Sequence, residues 1–377
     1  MHPGLYAARV AQESEVEVDI VHEAEPRFVL VTGAGRSGTS TVAGSLHFLG
    51  LHLPFPVLGT NKSNPRGFYE SKWAIDFHRK IFDRAMIDTF DARPSALDDI
   101  ESTLKPSDQA EVEAWLREQS ANAPQMVVKD PRSAWMPRLW ADAASAAGMP
   151  TGYVAMLRHP AEVVSSRATY YAKGEADAVR RYQVMSIARW VNANLICERK
   201  TRGMPRAFVR YDSLIADWRT TMDVVRAYLD LTFNADLTSQ DRHPVDDFID
   251  PSLRRHEVTW GQIDVPTNLQ DVAEETWVQL GVLSDNHGQD DGAHKVLDEL
   301  TDVYAGLFRD ASAIAHDEAT ATGKRARRKA IRETRNKLQN QQAQQAPPQP
   351  TPVPSLTSRV RGVAGRAKRA VISRVGR

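Results

Sequence analysis

The sequence predicts an α/β protein: a central, mainly parallel sheet with helices on both faces, three layers in all. Three observations predict it. Short apolar, β-branched runs recur at RFVLVTG (27–33), QMVVKDP (125–131), TGYVAMLRHP (151–160) and RAFVRYD (206–212). Longer segments of helical spacing lie between them, and glycine or proline closes the first three runs. Strands that alternate with helices need crossover connections, and crossovers make neighbouring strands parallel.

In chain order, residues 1–26 read as a loose acidic leader. The first strand follows, then a helix over TSTVAGSLHFLG with Gly50 as its stop. Pro160 opens a helix at PAEVVSSRATYYA, where the first turn tolerates proline. VRRYQVMSIARWVNANLICERK is a long amphipathic helix, and LIADWRTTMDVVRAYLDL is helical again. Residues 233–292 read as irregular and polar, the irregular 50–125 and 230–290 regions are expected to shape a pocket, and AHKVLDELTDVYAGLFRDASAIAHD forms a late helix. The main domain therefore spans 27–322. A basic extension, 323–377, carries a Gln/Pro-rich linker at 339–355 and an amphipathic helix at 356–376.

The chain has 377 residues, 42% hydrophobic and 25% charged, which is ordinary for a soluble globular protein. No run approaches the ~18 apolar residues of a membrane span. The acidic N-terminus lacks the apolar core of a signal peptide, so a cytoplasmic location is expected. The lone Cys197 cannot form an internal disulfide and reads as a small buried side chain on a helix. The 11 histidines show no HExxH or paired-cysteine spacing, so no metal site is expected. A net charge of zero hides an asymmetry: residues 323–377 hold 15 Lys+Arg against Glu333 alone, and the remaining chain holds 33 basic and 47 acidic groups.

The loop after the first strand reads Gly33-Ala34-Gly35-Arg36-Ser37-Gly38 and leads into Thr39 and Ser40. It satisfies GxGxxG, but no acidic residue stands ~20 positions on to hold a ribose, as a dinucleotide site requires. It also satisfies the GxxxxG of a phosphate loop without the lysine that should follow. Its amides can still encircle one tetrahedral anion at a helix N-terminus, with Arg36 as the nearby cation. A glycine turn required only for packing is the plainer alternative.

A phosphate loop with arginine in place of that lysine resembles the 5′-phosphosulfate loop of sulfotransferases, PKSGT or xRSGT, in the bacterial and carbohydrate-sulfotransferase branch. The resemblance implies the P-loop-containing, nucleotide-hydrolase-like sulfotransferase fold and the donor 3′-phosphoadenosine 5′-phosphosulfate (PAPS). It also implies a second anion site for the 3′-phosphate, an arginine at a strand end with a serine eight residues on. LRHPAEVVSSR supplies Arg158 and Ser166 at that spacing; the plainer alternative is Arg158 pairing with Glu162 on a surface helix. Three further stretches resemble family segments. NPRGFYE runs from Asn64 to Glu70, VRYDSL would place Tyr211 near the adenine, and FIDPSLRRH offers Arg254 and Arg255 over the 3′-phosphate. VVKDPR adds Lys129, Asp130 and Arg132 at a strand's carboxyl edge, where ligands of open α/β sheets bind.

The cofactor-binding set is thus Gly33, Gly35, Arg36, Ser37, Gly38, Thr39, Ser40, Arg158, Ser166, Tyr211, Arg254 and Arg255. Family members use a carboxylate or histidine as base. Glu70 is the first candidate and Asp130 the second, with Lys129 as an extra cation beside the sulfate and Arg36 on the leaving 5′-phosphate; His159 reads instead as a helix-start residue. A surface carboxylate capping the next helix is the other reading of Glu70. The implied reaction needs no metal, and its acceptor would be a small molecule, carbohydrate or glycolipid. A P-loop kinase with an altered loop and an inactive nucleotide-binding adaptor stand as alternatives. The basic tail adds an anionic membrane surface as a partner, at the inner face of the membrane. A disordered solubilising tail, or one bound to the acidic body, is the alternative. Nucleic acid is not expected, and the sequence leaves the oligomeric state open.

Overall fold

The computed structural model describes residues 24–61, 64–171, 174–249 and 259–345. Alternation along RFVLVTG sorts the core into two faces. In β1 (Arg27–Gly33), Phe28 and Leu30 point into one cluster and Val29 and Val31 into another, the period of two that a strand imposes. β2 (Gln125–Lys129) and β3 (Thr151–Leu157) flank β1, and β4 (Arg206–Arg210) lies beyond β3. The order is β2-β1-β3-β4, with all three pairings parallel. This is the expected α/β architecture.

Helices cover both faces. α1 (Thr39–Phe48) follows the loop, and α2 (Lys72–Ala85), α3 (Ala96–Thr103) and α4 (Pro106–Ser120) come before β2. A 3-10 turn (Pro131–Trp135) leads into α5 (Pro137–Ala146), α6 (Pro160–Tyr171) follows β3, and α7 (Ala176–Thr201) precedes β4. Then come α8 (Tyr211–Ala216), α9 (Trp218–Leu229), α10 (Pro244–Phe248), α11 (Thr267–Asp285), α12 (Asp291–Ile314) and α13 (His316–Gln345). Val42 and Leu46 of α1 share one face with Met222, Val225 and Leu229 of α9. The other face carries two clusters, one built with α2 to α5 and one with α6, α7, α11 and α12. Cys197 is buried on α7, and burial pushes its thiol up to about 11.

Two expectations are corrected. Residues 50–125 hold three helices, and α2 buries Ala74, Ile75, Phe77, Ile81 and Phe82 on one side. Residues 233–292 hold α10 and the 19-residue α11, whose buried positions Leu269, Val272, Ala273, Thr276, Leu280 and Leu283 keep helical spacing. The segment LIADWRTTMDVVRAYLDL is two helices, broken where the Asp217 side chain accepts from the Thr220 amide and starts α9.

The chain divides into two compact units, Met1–Ala311 and Ser312–Arg377. The described part of the second is chiefly α13, which runs on into the glutamines of the 339–355 linker segment. The amphipathic helix expected at 356–376 and most of the 1–26 leader lie outside the described residues. Among the described residues no helix is long and apolar enough to cross a membrane.

Gly33 stands at a close approach of β1 to β3. Its φ is 134°, and a Cβ there would stand 2.8 Å from the Met156 carbonyl oxygen. Gly33→Ala is therefore expected to lower stability by about 2 kcal/mol or more, measured by equilibrium denaturation; an unchanged midpoint would contradict this packing.

Candidate anion-binding site

A parallel sheet sends all its strand ends to one edge. β1 lies between β2 and β3, so the loops after these three strands meet where chain direction across the sheet reverses, the usual ligand crevice of such folds. Val31 pairs with Lys129 and Gly33 with Met156, which sets Lys129 on one side of the β1 loop and Arg158 on the other.

The loop turns on two positive φ values, Arg36 at 76° and Gly38 at 96°. Left-handed backbone at an arginine costs roughly 1–2 kcal/mol. Successive amides in such a turn face one concavity, which suits an anion. α1 opens at Thr39 directly behind it and adds the partial positive charge of its first turn, where the Thr41 amide already bonds the Gly38 carbonyl. The hydroxyl oxygen of Ser37 is buried there with no partner among the described residues. A Cβ on Gly38 would sit 2.3 Å from the Tyr211 ring, so the glycine lets Tyr211 lie against the loop.

The second sequence motif closes onto the first. Arg158 donates from Nη1 to the Arg36 carbonyl at 3.2 Å, and Arg36 donates from Nε to Ser166 Oγ at 3.3 Å. The Arg158 guanidinium lies 4.7 Å from the centre of the Tyr211 ring, a cation–π distance. Arg158 also donates from Nε to Glu162 at 2.8 Å. The alternative pairing thus exists, but inside the site, for Arg158 is only 8% exposed. Beside it opens a cavity of about 660 Å³, lined by Arg158, His159, Tyr211, Trp260, Glu274 and Trp277 among others. Glu274 accepts from Trp260 Nε1 at 2.6 Å and lies 3.2 Å from His159 Nε2, and His159 meets both tryptophans edge-on.

On the opposite side of the loop, Lys129 (3% exposed) forms a 2.5 Å ion pair with Glu70 (7% exposed). Lys129 Nζ also lies 3.4 Å from Ser40 Oγ. Ser40 donates to the Phe68 carbonyl at 3.2 Å, and Asn64 donates from Nδ2 to Ser40 Oγ at 3.2 Å and to the Gly67 carbonyl at 2.6 Å. These bonds tie the 64–70 segment onto α1, and Tyr69 takes a left-handed φ of 54° just before Glu70. The helix-capping reading of Glu70 does not hold: the carboxylate is buried on Lys129. The donor set here is three cations, several hydroxyls and a ring of amides, which fits a ligand with more than one anionic group. Among the described residues no group of three or more His, Cys, Asp or Glu is placed to hold a metal ion.

No family model matches the chain, and no curated protein matches it. Among solved structures it is similar to the sulfotransferase domain of the Synechococcus PCC 7002 olefin synthase, with 17% identity and a TM-score of 0.38 over 71% of this chain and 97% of that one. It is also similar to the sulfotransferase domain of the curacin biosynthetic pathway, with 18% identity and a TM-score of 0.36 over 68% and 98%. A third is a sulfotransferase from Mycobacterium tuberculosis H37Rv, with 17% identity and a TM-score of 0.35 over 72% and 81%.

One expected site residue is corrected. Asp130 is fully buried and turned away from the loop. Trp140 Nε1 donates to His78 Nε2 at 2.9 Å, which leaves the proton on Nδ1 to bond Asp130 at 3.0 Å. Arg132 donates to the same carboxylate from its amide and from Nη1. Burial pushes the Asp130 carboxyl up, but His78 and Arg132 outweigh it and hold it below the usual carboxylate range. A buried, saturated, weakly basic carboxylate is a scaffold rather than a base. His159 accepts from the Ala161 amide at the start of α6, in line with its helix-start reading. Arg254 and Arg255 lie outside the described residues. Sequence reasoning missed Asn64 as a site residue, although it opens NPRGFYE, and missed Trp260, Glu274 and Trp277, which the unexpected α11 and its approach bring to the cavity.

Asp130→Asn is expected to cost about 3 kcal/mol or more, because it breaks a buried charged network. The sign with pH follows from the lowered folded value. The carboxylate's stabilisation is present above its unfolded value near ~4 and is lost as pH falls through the folded one. Denaturation curves from neutral to acid pH should show that loss in the parent and not in the variant.

Proposed function

We propose that the chain is a sulfotransferase that moves a sulfuryl group from PAPS to a hydroxyl or amine of an acceptor, a carbohydrate or glycolipid. One observation carries this reading: Arg158, of the second motif, bonds the main chain of Arg36, of the first, so the anion loop and the cationic notch abut. Two anion cups in contact suit a nucleotide with phosphates at both ends of one ribose. In this reading the loop amides, Arg36 and Thr39 take the 5′-phosphate. Arg158 and Ser166 take the 3′-phosphate, and the cavity between Tyr211 and the two tryptophans receives the base.

The chemistry is a displacement at sulfur. The acceptor oxygen or nitrogen bonds sulfur, the bond from sulfur to the 5′-phosphate oxygen breaks, and Glu70 takes the acceptor proton. The leaving phosphate gains charge, which the preorganised amides and Arg36 stabilise. Lys129 stands between Glu70 and Ser40. An anionic sulfuryl group entering beside Ser40 competes for the ammonium and turns the Glu70 carboxylate toward the acceptor. A kinase with a displaced lysine is the second reading, favoured by the same position of Lys129 beside Ser40; turnover of ATP in place of PAPS would select it.

Arg158→Ala is expected to weaken binding of 3′,5′-adenosine diphosphate by ~1.5–3 kcal/mol, roughly ten- to a hundredfold. Binding of adenosine 5′-phosphate should hardly change. Titration calorimetry separates the cases, and equal losses for both nucleotides would remove the assignment. Glu70→Gln should lower kcat by ~10²-fold or more with nucleotide affinity kept; full turnover would take the base role from Glu70.

A further inference from the structure

We propose that α13 seats the protein on an anionic lipid surface by charge alone, without burying a helix face in the bilayer. The inference is independent of the reaction. Residues 324–337 carry eight cations and one acidic residue, and every residue from Lys324 to Leu338 is exposed. At 100° per residue, Lys324, Arg328, Arg332 and Arg335 fall within about 80° of one another and form a ridge about 16 Å long. Among the described residues none of the four forms an ion pair, whereas Arg325 pairs with Glu318 and Lys329 with Glu333.

The opposite side of the same stretch carries Gly323, Ala326, Ala330 and Thr334, which are small and uncharged. Five of the eight cations lie on the ridge side, Arg325 with the four of the ridge, and Arg327, Lys329 and Lys337 lie away from it. A helix with five of its eight cations on one side suits a flat anionic surface. A helix lodged in a nucleic-acid groove meets phosphates on both flanks, and this segment has no aromatic residue to stack on bases. Insertion needs an apolar face, and here only Ile331 and Leu338 are large and apolar, half-exposed at the rim of the ridge. Like charges three and four residues apart along the ridge weaken the helix by itself, so an anionic surface that screens them also firms it.

The test is co-sedimentation of the full chain with vesicles of phosphatidylcholine alone or with about a third phosphatidylserine. Expected is binding to the anionic vesicles only, at low salt, with loss at high salt. Changing Lys324, Arg328, Arg332 and Arg335 together to Gln should weaken it roughly a hundredfold or more, at several-fold per cation. Arg327→Gln with Lys337→Gln should change it little. Circular dichroism and nucleotide binding confirm that the variants fold. The proposal is overturned if the four-residue variant binds like the parent, or if changing Arg359, Arg361, Arg366 and Arg369 to Gln abolishes binding instead. Equal binding to neutral vesicles, or tighter binding to duplex DNA at the same salt, also overturns it.

Discussion

Between Gly33 and Met156 there is no room for a side chain, and the candidate site follows from that close approach. It lets β1 and β3 run side by side to their last residues, so the loops that leave them start within one side-chain length of each other. Arg158 then reaches the Arg36 carbonyl directly, and Ser166 on the following helix reaches the Arg36 guanidinium. A bulkier residue at 33 would part the two strands at the one point where their loops must touch.

Three buried charged groupings stand at this edge of the sheet. Lys129 with Glu70, Arg158 with Glu162, and Asp130 with His78 and Arg132 are all nearly removed from solvent. Apolar residues of equal volume commonly stabilise as well as buried ion pairs do. The pairs differ in what else they touch. Asp130 is saturated by scaffold donors and fixes the turn after β2. Lys129 and Arg158 each keep a second contact with the anion loop, Lys129 near the Ser40 hydroxyl and Arg158 on the Arg36 carbonyl.

The sheet and the two anion motifs were legible because both are short-range patterns. β-branched runs ending in glycine or proline show their period within seven residues, and Arg158 and Ser166 are fixed by one helix start. α11 was not legible because its buried face includes Thr276 and Gly281, which carry little hydropathy signal, and Glu274 and Trp277 were lost with it. The buried face of α2 likewise includes His78, held inside by Asp130 and Trp140. The pairing of Glu70 with Lys129 is made by topology, since 59 positions separate them: the β1–β2 register sets Lys129 beside the loop, and the Val57–Ser71 bridge and the Ser40–Phe68 bond hold the Glu70 segment there. Asp130 was misread for a simple reason. Neighbours along an extended chain point to opposite sides, so the residue after Lys129 faces the helices and not the ligand crevice.

The chain carries a built-in clock for its own opening. Cys197 is the sole thiol, sealed within α7 against the sheet, with its ionisation pushed well above neutral pH. Thiolate is the reactive form, so the folded molecule is silent to alkylating reagents. Labelling then proceeds only as fast as the interior comes apart, and a cysteine placed on the surface would take a fluorophore with no competing site.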